Sequence, residues 1–315
     1  MNVTLKKLQG SVFGAAIGDA VGVPFEFRSR EEMMRCPATG MTGNGTYHMP
    51  IGTWSDDTTM ILCTLDRLDE SMDYDGIMRA FLSWVEKGEY TPHGSCFDIG
   101  GTTRRALENF ARGAEPLRSG LDDNYSNGNG SLMRIIPAAL YADAHGLSLP
   151  EAVKLAETLS SLTHAHAISR TGCGIFTCIA LSLLKNADKS SVQEGIRNAA
   201  AVYTTESGSK GIEKYRRLLS DGFAALPEEK IRSSGYVVDT LECAVWCLLQ
   251  SDSYSDCILK AVNFGNDTDT AACVAGALAG LLYGYEGIPE KWRGALVKTD
   301  LINDIIDGFC RRNGI

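Results

Sequence analysis

Two short clusters of carboxylates and hydroxyls stand at opposite ends of this chain, each directly ahead of an apolar run with helical periodicity. The first is Gly52-Thr-Trp-Ser-Asp-Asp-Thr58 and the second Gly265-Asn-Asp-Thr-Asp-Thr270. A helix start needs one capping side chain, and each cluster holds more than capping can use. Like charges this close repel, and the repulsion costs most where water is excluded. A hard divalent cation held by both clusters removes that cost, and the number of oxygen ligands accommodates two. The pattern therefore constrains the fold: the ends of the chain must meet around one site, so residues 1–315 are expected to form one domain. Ser55, Asp56, Asp57, Asp267, Asp269 and Thr270 offer oxygen alone, which predicts Mg²⁺ or Mn²⁺ rather than zinc.

Helical periodicity recurs along almost the whole sequence, while alternating β-branched strand patterns are nearly absent. Leu5, Leu8, Val12 and Ala16 repeat at helical spacing, as do Ile61, Leu65 and Leu68. Further helices are expected at about 75–87, 101–113, 131–145, 150–163, 166–185, 191–203, 211–220, 236–250, 254–263, 268–284 and 298–312. Runs of small residues, Gly14-Ala-Ala-Ile-Gly18 and Ala271 to Gly280, suit helix faces that pack closely in the centre of a bundle. Between about 24 and 57, and again between 113 and 130, the periodicity gives way to Gly, Asn, Asp and Pro. Such loops on a rigid scaffold are the usual home of binding and catalytic groups. The expectation is an all-α fold, a compact orthogonal multi-helix domain with a loop-lined cleft.

The 315 residues carry a net charge of −9, which argues against a general nucleic-acid binder with its basic stripe. A phosphate-bearing small ligand stays compatible, because helix N-termini and metals supply local positive potential. The N-terminal Met1-Asn-Val-Thr-Leu-Lys-Lys lacks the apolar centre of a secretory signal. The stretch nearest to a membrane span, Ala271 to Tyr285, is too short and too rich in small residues. The ten cysteines include no Cys-x-x-Cys, and most lie in apolar segments. They read as free, buried thiols in a reducing cytoplasm.

Two glycine-rich segments could bring backbone N–H groups to phosphate oxygens at a helix start. They are Asn127-Gly-Asn-Gly-Ser131, ahead of Leu-Met-Arg134, and Phe97-Asp-Ile-Gly-Gly-Thr-Thr103. Alone each is a weak signal, since Asn-Gly also marks a simple turn; beside a metal site the pair suggests a diphosphate. Glu26 lies between Phe25 and Phe27, where partial desolvation would tune it toward proton transfer; an ordinary solvated loop Glu is the plainer reading. His164 and His166 fit the end of one helix and the start of the next, with one ring toward the cleft or simply satisfied in the core. Tyr236 heads an apolar helix and could lie on a ligand or in the core.

Taken in order, these clusters resemble the ADP-ribosylglycohydrolase family, and most closely its dinitrogenase-reductase-activating glycohydrolase branch. The segments that carry the resemblance are Gly14 to Gly22 with Glu26, Ser55-Asp-Asp-Thr58, Phe97-Asp-Ile-Gly-Gly101, Gly128-Asn-Gly-Ser-Leu-Met-Arg134, Thr163-His164, Gly235-Tyr-Val-Val-Asp-Thr-Leu241 and Asn266-Asp-Thr-Asp-Thr270. The resemblance implies an all-α fold with a binuclear Mg²⁺ or Mn²⁺ centre and hydrolysis of the bond at C1″ of ADP-ribose. Carried over by position, Ser55, Asp56 and Asp57 would hold one metal, Asp267 and Thr270 the other, and Asp269 both. Ser55 stands where many relatives have Thr, and the hydroxyl is kept. Glu26 and Asp269 would serve catalysis. Gly100, Gly101, Asn127, Gly128, Asn129, Gly130, Ser131, Met133 and Arg134 would hold the diphosphate and riboses, with His164 and Tyr236 against the ligand. Asp98 resembles a position associated with arginine-linked substrates, and a carboxylate there could pair a guanidinium in bidentate fashion.

The expected function is release of ADP-ribose from arginine on an ADP-ribosylated protein, by a monomer with no direct nucleic-acid or membrane binding. The alternatives are serine-, O-acyl- or nucleic-acid-linked ADP-ribose, a two-metal phosphohydrolase that cuts the diphosphate, and a non-catalytic ADP-ribose-binding relative.

Overall fold

The computed structural model describes residues 4–205 and 211–315. Fifteen α-helices occur among them: α1 Leu5–Gly22, α2 Arg30–Arg35, α3 Asp56–Arg67, α4 Tyr74–Lys87, α5 Gly101–Ala111, α6 Pro116–Ser119, α7 Ile136–Ala144, α8 Leu149–Ser161, α9 Ala167–Lys185, α10 Lys189–Thr205, α11 Val237–Leu249, α12 Tyr254–Asn263, α13 Thr268–Tyr283, α14 Glu290–Ala295 and α15 Thr299–Asn313. Extended structure among the described residues is confined to three isolated bridges. The fold is all-α, as the periodicity predicts.

Backbone contact between α1 and α13 organises the centre. Gly10, Gly14, Gly18 and Gly22 recur every four residues and form one face of α1, while Ala272, Gly276 and Gly280 do the same on α13. A Cβ on Gly14 would stand 2.3 Å from the Gly276 carbonyl oxygen, and one on Gly280 would stand 1.9 Å from that of Gly10. Only glycine permits this approach. The same face ends at the site: a Cβ on Gly22 would lie 2.4 Å from Cα of Asp269. Thr268 Oγ1 donates to the Gly22 carbonyl at 2.8 Å, fixing the register of the two helices. From α12, the fully buried Tyr254 donates its hydroxyl to the Gly14 carbonyl at 2.6 Å. The first and last thirds of the chain are thereby locked together.

Three local readings are corrected. The helix expected at 131–145 starts only at Ile136, because Pro137 fits a first helical turn and no later position. Residues 131–134 instead form turns closed by Leu132 and Met133 N–H on the Asn129 carbonyl, at 2.8 and 3.1 Å. The helix expected at 211–220 is a single 3-10 turn, Ile212–Tyr215. The most apolar long helix is α9, not the stretch near 271–285. It is the one described helix long and apolar enough to cross a membrane, and 78% of its most apolar window is buried inside the molecule, as in a core helix. The short α2 lies inside the stretch expected to lack periodicity, and it is set by a reciprocal capping box of Ser29 and Glu32, with Ser29 N–H on Glu32 Oε2 at 2.7 Å. All ten cysteines are free, and eight of them are buried.

Candidate active site

The two acidic clusters touch. Asp57 Oδ2 accepts hydrogen bonds from Ser55 Oγ at 3.1 Å and from Thr270 Oγ1 at 3.3 Å, across 213 residues of sequence. One carboxylate oxygen from each of Glu26, Asp267 and Asp269 lies within 4.8 Å of the others.

Capping does not account for these groups. The start of α3 is capped from elsewhere: Asp19, buried in α1, accepts from Ser55 N–H at 3.0 Å, from Thr58 N–H at 3.1 Å and from Thr58 Oγ1 at 2.6 Å. Ser55 Oγ takes the Asp57 N–H at 3.3 Å. Asp56 and Asp57 are therefore surplus to the helix. At α13 the N-cap residue is Asp267, yet its side chain caps nothing. It accepts instead from Asn129 Nδ2 at 2.9 Å.

Burial sets the electrostatics. Asp56, Asp57 and Asp269 are pushed well above the usual carboxylate range, first by desolvation and then by neighbouring carboxylates. Glu26 rises to about 8, from burial and then from Asp98, Asp267 and Asp19, against a lowering from the Tyr47 hydroxyl that donates to its Oε2 at 2.6 Å. Asp19 rises to about 6 through burial, despite the hydrogen bonds from Thr58 and Ser55. Asp98 is raised too, by burial and then by Asp267. None of the ion pairs among the described residues involves any of these carboxylates. Asp57 Oδ1 and Asp267 Oδ1 are sealed from solvent with no partner. Buried, repelling carboxylates with unpaired oxygens and no protein cation are chemically suited to divalent ions.

The glycine-rich segments expected to face a ligand converge on the same cluster. Asn129 N–H donates to the Gly235 carbonyl at 3.1 Å and Val237 N–H to the Asn127 carbonyl at 3.1 Å. This stitching carries Asn129 to Asp267 and to Thr240 Oγ1, 2.9 Å away. It also places Gly128 opposite Tyr236, which is half-buried at the head of α11. A second stitch, Leu121 N–H to Thr163 O at 3.0 Å and Ala165 N–H to Leu121 O at 2.8 Å, holds His164 against the glycines. A Cβ on Gly130 would sit 2.9 Å from His164 Cε1. Gly100 and Gly101 lie exposed at the start of α5, with open space where a side chain at Gly101 would stand. Beside Asp267 opens a groove of about 740 Å³, bordered by Phe27, Arg30, Ser233, Gly235 and Phe264.

Three expected ligand residues lie behind this surface. Ser131 Oγ is fully buried and accepts from Ser160 Oγ at 2.8 Å. Met133 packs in the core. The Arg134 guanidinium is fully buried, 4.9 Å above the Phe81 ring. Asn127 is buried with Oδ1 unpaired and Nδ2 on the Asn124 carbonyl at 3.1 Å. Sequence reasoning left two residues out of the site. Asp19 stands near Glu26 at the expected end of the first helix but carries no expected role; it lies inside α1 and is buried. Tyr47 carries no local signal and is revealed only by its bond to Glu26.

An all-α scaffold whose distant segments converge on a buried, uncompensated carboxylate cluster flanked by glycine-rich loops defines a class of hydrolase centre. The family model for ADP-ribosylglycohydrolase matches residues 1–314. The chain belongs to that family, and it is an ADP-ribosyl hydrolase acting on a glycosidic bond. It is 35% identical over 293 residues to ADP-ribosylarginine hydrolase Tri1 of Pseudomonas putida, covering 91% of this chain and 73% of that protein. The Tri1 protein of Serratia proteamaculans is 32% identical, with 96% and 79% covered. The ADP-ribosyl-[dinitrogen reductase] glycohydrolase of Rhodospirillum rubrum is 28% identical, with 93% and 90% covered. A solved ADP-ribosylglycohydrolase-related protein complex superposes with a TM-score of 0.79 at 27% identity, covering 98% of each chain.

Proposed function

We propose that this chain hydrolyses the C1″–N bond of ADP-ribosylarginine on protein, with two Mg²⁺ or Mn²⁺ ions, releasing ADP-ribose and the free guanidino group. The observation that carries the reading is the junction of Asp57 with Thr270, where carboxylates from both ends of the chain meet with oxygens left unpaired. Two relatives above 30% identity bear the name of this activity.

Ser55, Asp56 and Asp57 would hold one ion, Asp267 and Thr270 the other, and Asp269 both. When bound, such ions orient ribose hydroxyls, lower the pKa of a water and neutralise the cluster. Glu26 is the group that handles the proton. Tyr47 occupies its Oε2, so Oε1 is the oxygen that takes or gives a proton as water adds at C1″ and the guanidino nitrogen leaves. The surrounding carboxylates favour the positive charge that develops on the ribosyl carbon. Asp98, close enough to Asp56 and Asp267 to feel both, pairs the arginine guanidinium at the entrance. The open amides of Gly100 and Gly101 and the stitched loop Asn127 to Gly130 cradle the diphosphate and riboses, with His164 and Tyr236 against the ligand. Because the side chains of Ser131, Met133 and Arg134 turn inward, that stretch offers its backbone.

The same reading treats residues 1–315 as one domain, supported by the α1–α13 lock, and the protein as a cytoplasmic monomer. A linkage panel tests the function: arginine-, serine-, acyl- and nucleic-acid-linked ADP-ribose, each with Mg²⁺ and with Mn²⁺. Fastest release of intact ADP-ribose from arginine is expected. Preference for another linkage, or AMP and ribose phosphate as products, would overturn it.

A further inference from the structure

Arg134 is an anomaly. Its guanidinium is fully buried and pairs with no carboxylate. Nε and Nη1 have no partner, and only Nη2 is used, donating to Leu159 O at 3.0 Å and to Thr163 Oγ1 at 2.9 Å. An unpaired buried charge is costly, so the contacts it keeps are informative. Thr163 Oγ1 in turn lies 2.9 Å from His164 Nδ1.

Proton counting gives this chain a direction. Burial pulls Arg134 down to about 10, so it is still charged at neutral pH. A guanidinium can only donate, so Thr163 Oγ1 is its acceptor. The threonine hydroxyl has one proton of its own, and its only other partner among the described residues is His164 Nδ1. If Nδ1 carried the hydrogen, the buried hydroxyl proton would be orphaned. Nδ1 therefore accepts, and the imidazole hydrogen sits on Nε2. That nitrogen has no protein partner among the described residues, and it lies 3.5 and 3.4 Å from where Cβ atoms on Gly128 and Gly130 would stand.

We propose that Arg134 and Thr163 are positioning residues that fix His164 as the neutral, Nε2-protonated tautomer, a one-proton donor aimed over Gly128 and Gly130 at an anionic or ribose oxygen of the ligand. The ligand-facing half of this rests on the function proposed above; the tautomer does not. Burial and the nearby Arg134 charge push His164 down to about 3, which agrees with a ring that stays neutral between pH 5 and 8. It also explains why an arginine in a ligand-binding loop sequence points away from the ligand: its work is done through the ring.

The test reads imidazole ¹⁵N shifts in the Mg²⁺-supplied protein without ligand, with His164 assigned by the signals lost in His164→Gln. Unprotonated Nδ1 and protonated Nε2 are expected, unchanged from pH 5 to 8. Thr163→Val should redistribute the tautomers and raise KM for ADP-ribosylarginine roughly tenfold, the loss of one hydrogen bond, with kcat little changed. Thr163→Ser should restore both. A wild-type ring protonated on Nδ1 overturns the proposal without any variant. Unchanged tautomer in Thr163→Val overturns the relay, and a switched tautomer with unchanged KM overturns the ligand-facing role. Because the spectrum needs no turnover, failure of the arginine linkage would leave the tautomer assignment standing.

Discussion

Glu26→Gln should make the metal-free protein more stable while sharply slowing catalysis. In the folded, metal-free state the Glu26 carboxyl is raised to about 8 from an ordinary value of 4.5. Between those limits the folded state holds a proton that the unfolded state has released, so stability falls as pH rises through the window. Each pH unit is worth about 1.4 kcal/mol. From 4.5 to pH 7 the burden is about 3 kcal/mol, and it levels off near 5 kcal/mol above pH 8; below pH 4.5 it vanishes. Glutamine never ionises, and its amide oxygen can still accept the Tyr47 hydroxyl that now bonds Oε2. The variant should therefore gain about 3 kcal/mol at pH 7 in EDTA, or roughly 4–5 °C in Tm, and almost nothing at pH 4.5. Differential scanning calorimetry at pH 4.5, 6, 7 and 8, with and without Mn²⁺, reads this directly. Turnover with metal should fall about 10²- to 10⁴-fold. A variant no more stable than wild type at pH 7, or a gain that does not shrink toward pH 4.5, would refute the electrostatic argument.

Asp57→Asn and Asp269→Asn should each lower kcat/KM by at least about a thousandfold, leaving helical circular dichroism unchanged; activity within tenfold of wild type would count against metal holding by these residues. Affinity for Mn²⁺ should climb as pH rises from 6 to 8, because the cluster must release protons to bind; calorimetric titrations showing flat or falling affinity would contradict the raised carboxylates. Gly276→Val places side-chain carbon where a Cβ would already be 2.2 Å from the Gly14 carbonyl oxygen, and should cost more than about 3 kcal/mol; a denaturant midpoint close to wild type would sink the close packing of α1 on α13. Asp98→Asn should depress kcat/KM about tenfold or more on arginine-linked substrate and much less on serine-linked substrate; equal losses on both would remove Asp98 from acceptor recognition.

Much of this was legible because the strongest signals were local. The four-residue spacing of small residues on α1 and α13 marks the close backbone approach, and the doubled acidic clusters mark the place where the two ends of the chain meet. What escaped depends on contacts between distant segments. Asp19 reads as one more acid in an apolar run until Ser55 and Thr58 are seen to use it as the cap of α3. Tyr47 closes a single 3-10 turn, Gly45–Tyr47, and nothing near it in the sequence foretells the bond to Glu26. Arg134 illustrates the opposite case: a basic residue beside a glycine-rich loop invites a ligand contact, yet the turns at 131–134 direct its side chain inward to Thr163. The helix expected at 131–145 failed for the same reason, since periodicity cannot see the turns that precede Pro137.

The proposed centre depends on divalent ions being held jointly by the two ends of the chain. Anomalous diffraction from crystals grown with Mn²⁺ tests this most directly. Two peaks are predicted, one within bonding reach of Asp57 and one of Asp267, with Asp269 touching both. Density that shows no ion between these aspartates at saturating Mn²⁺ would contradict it.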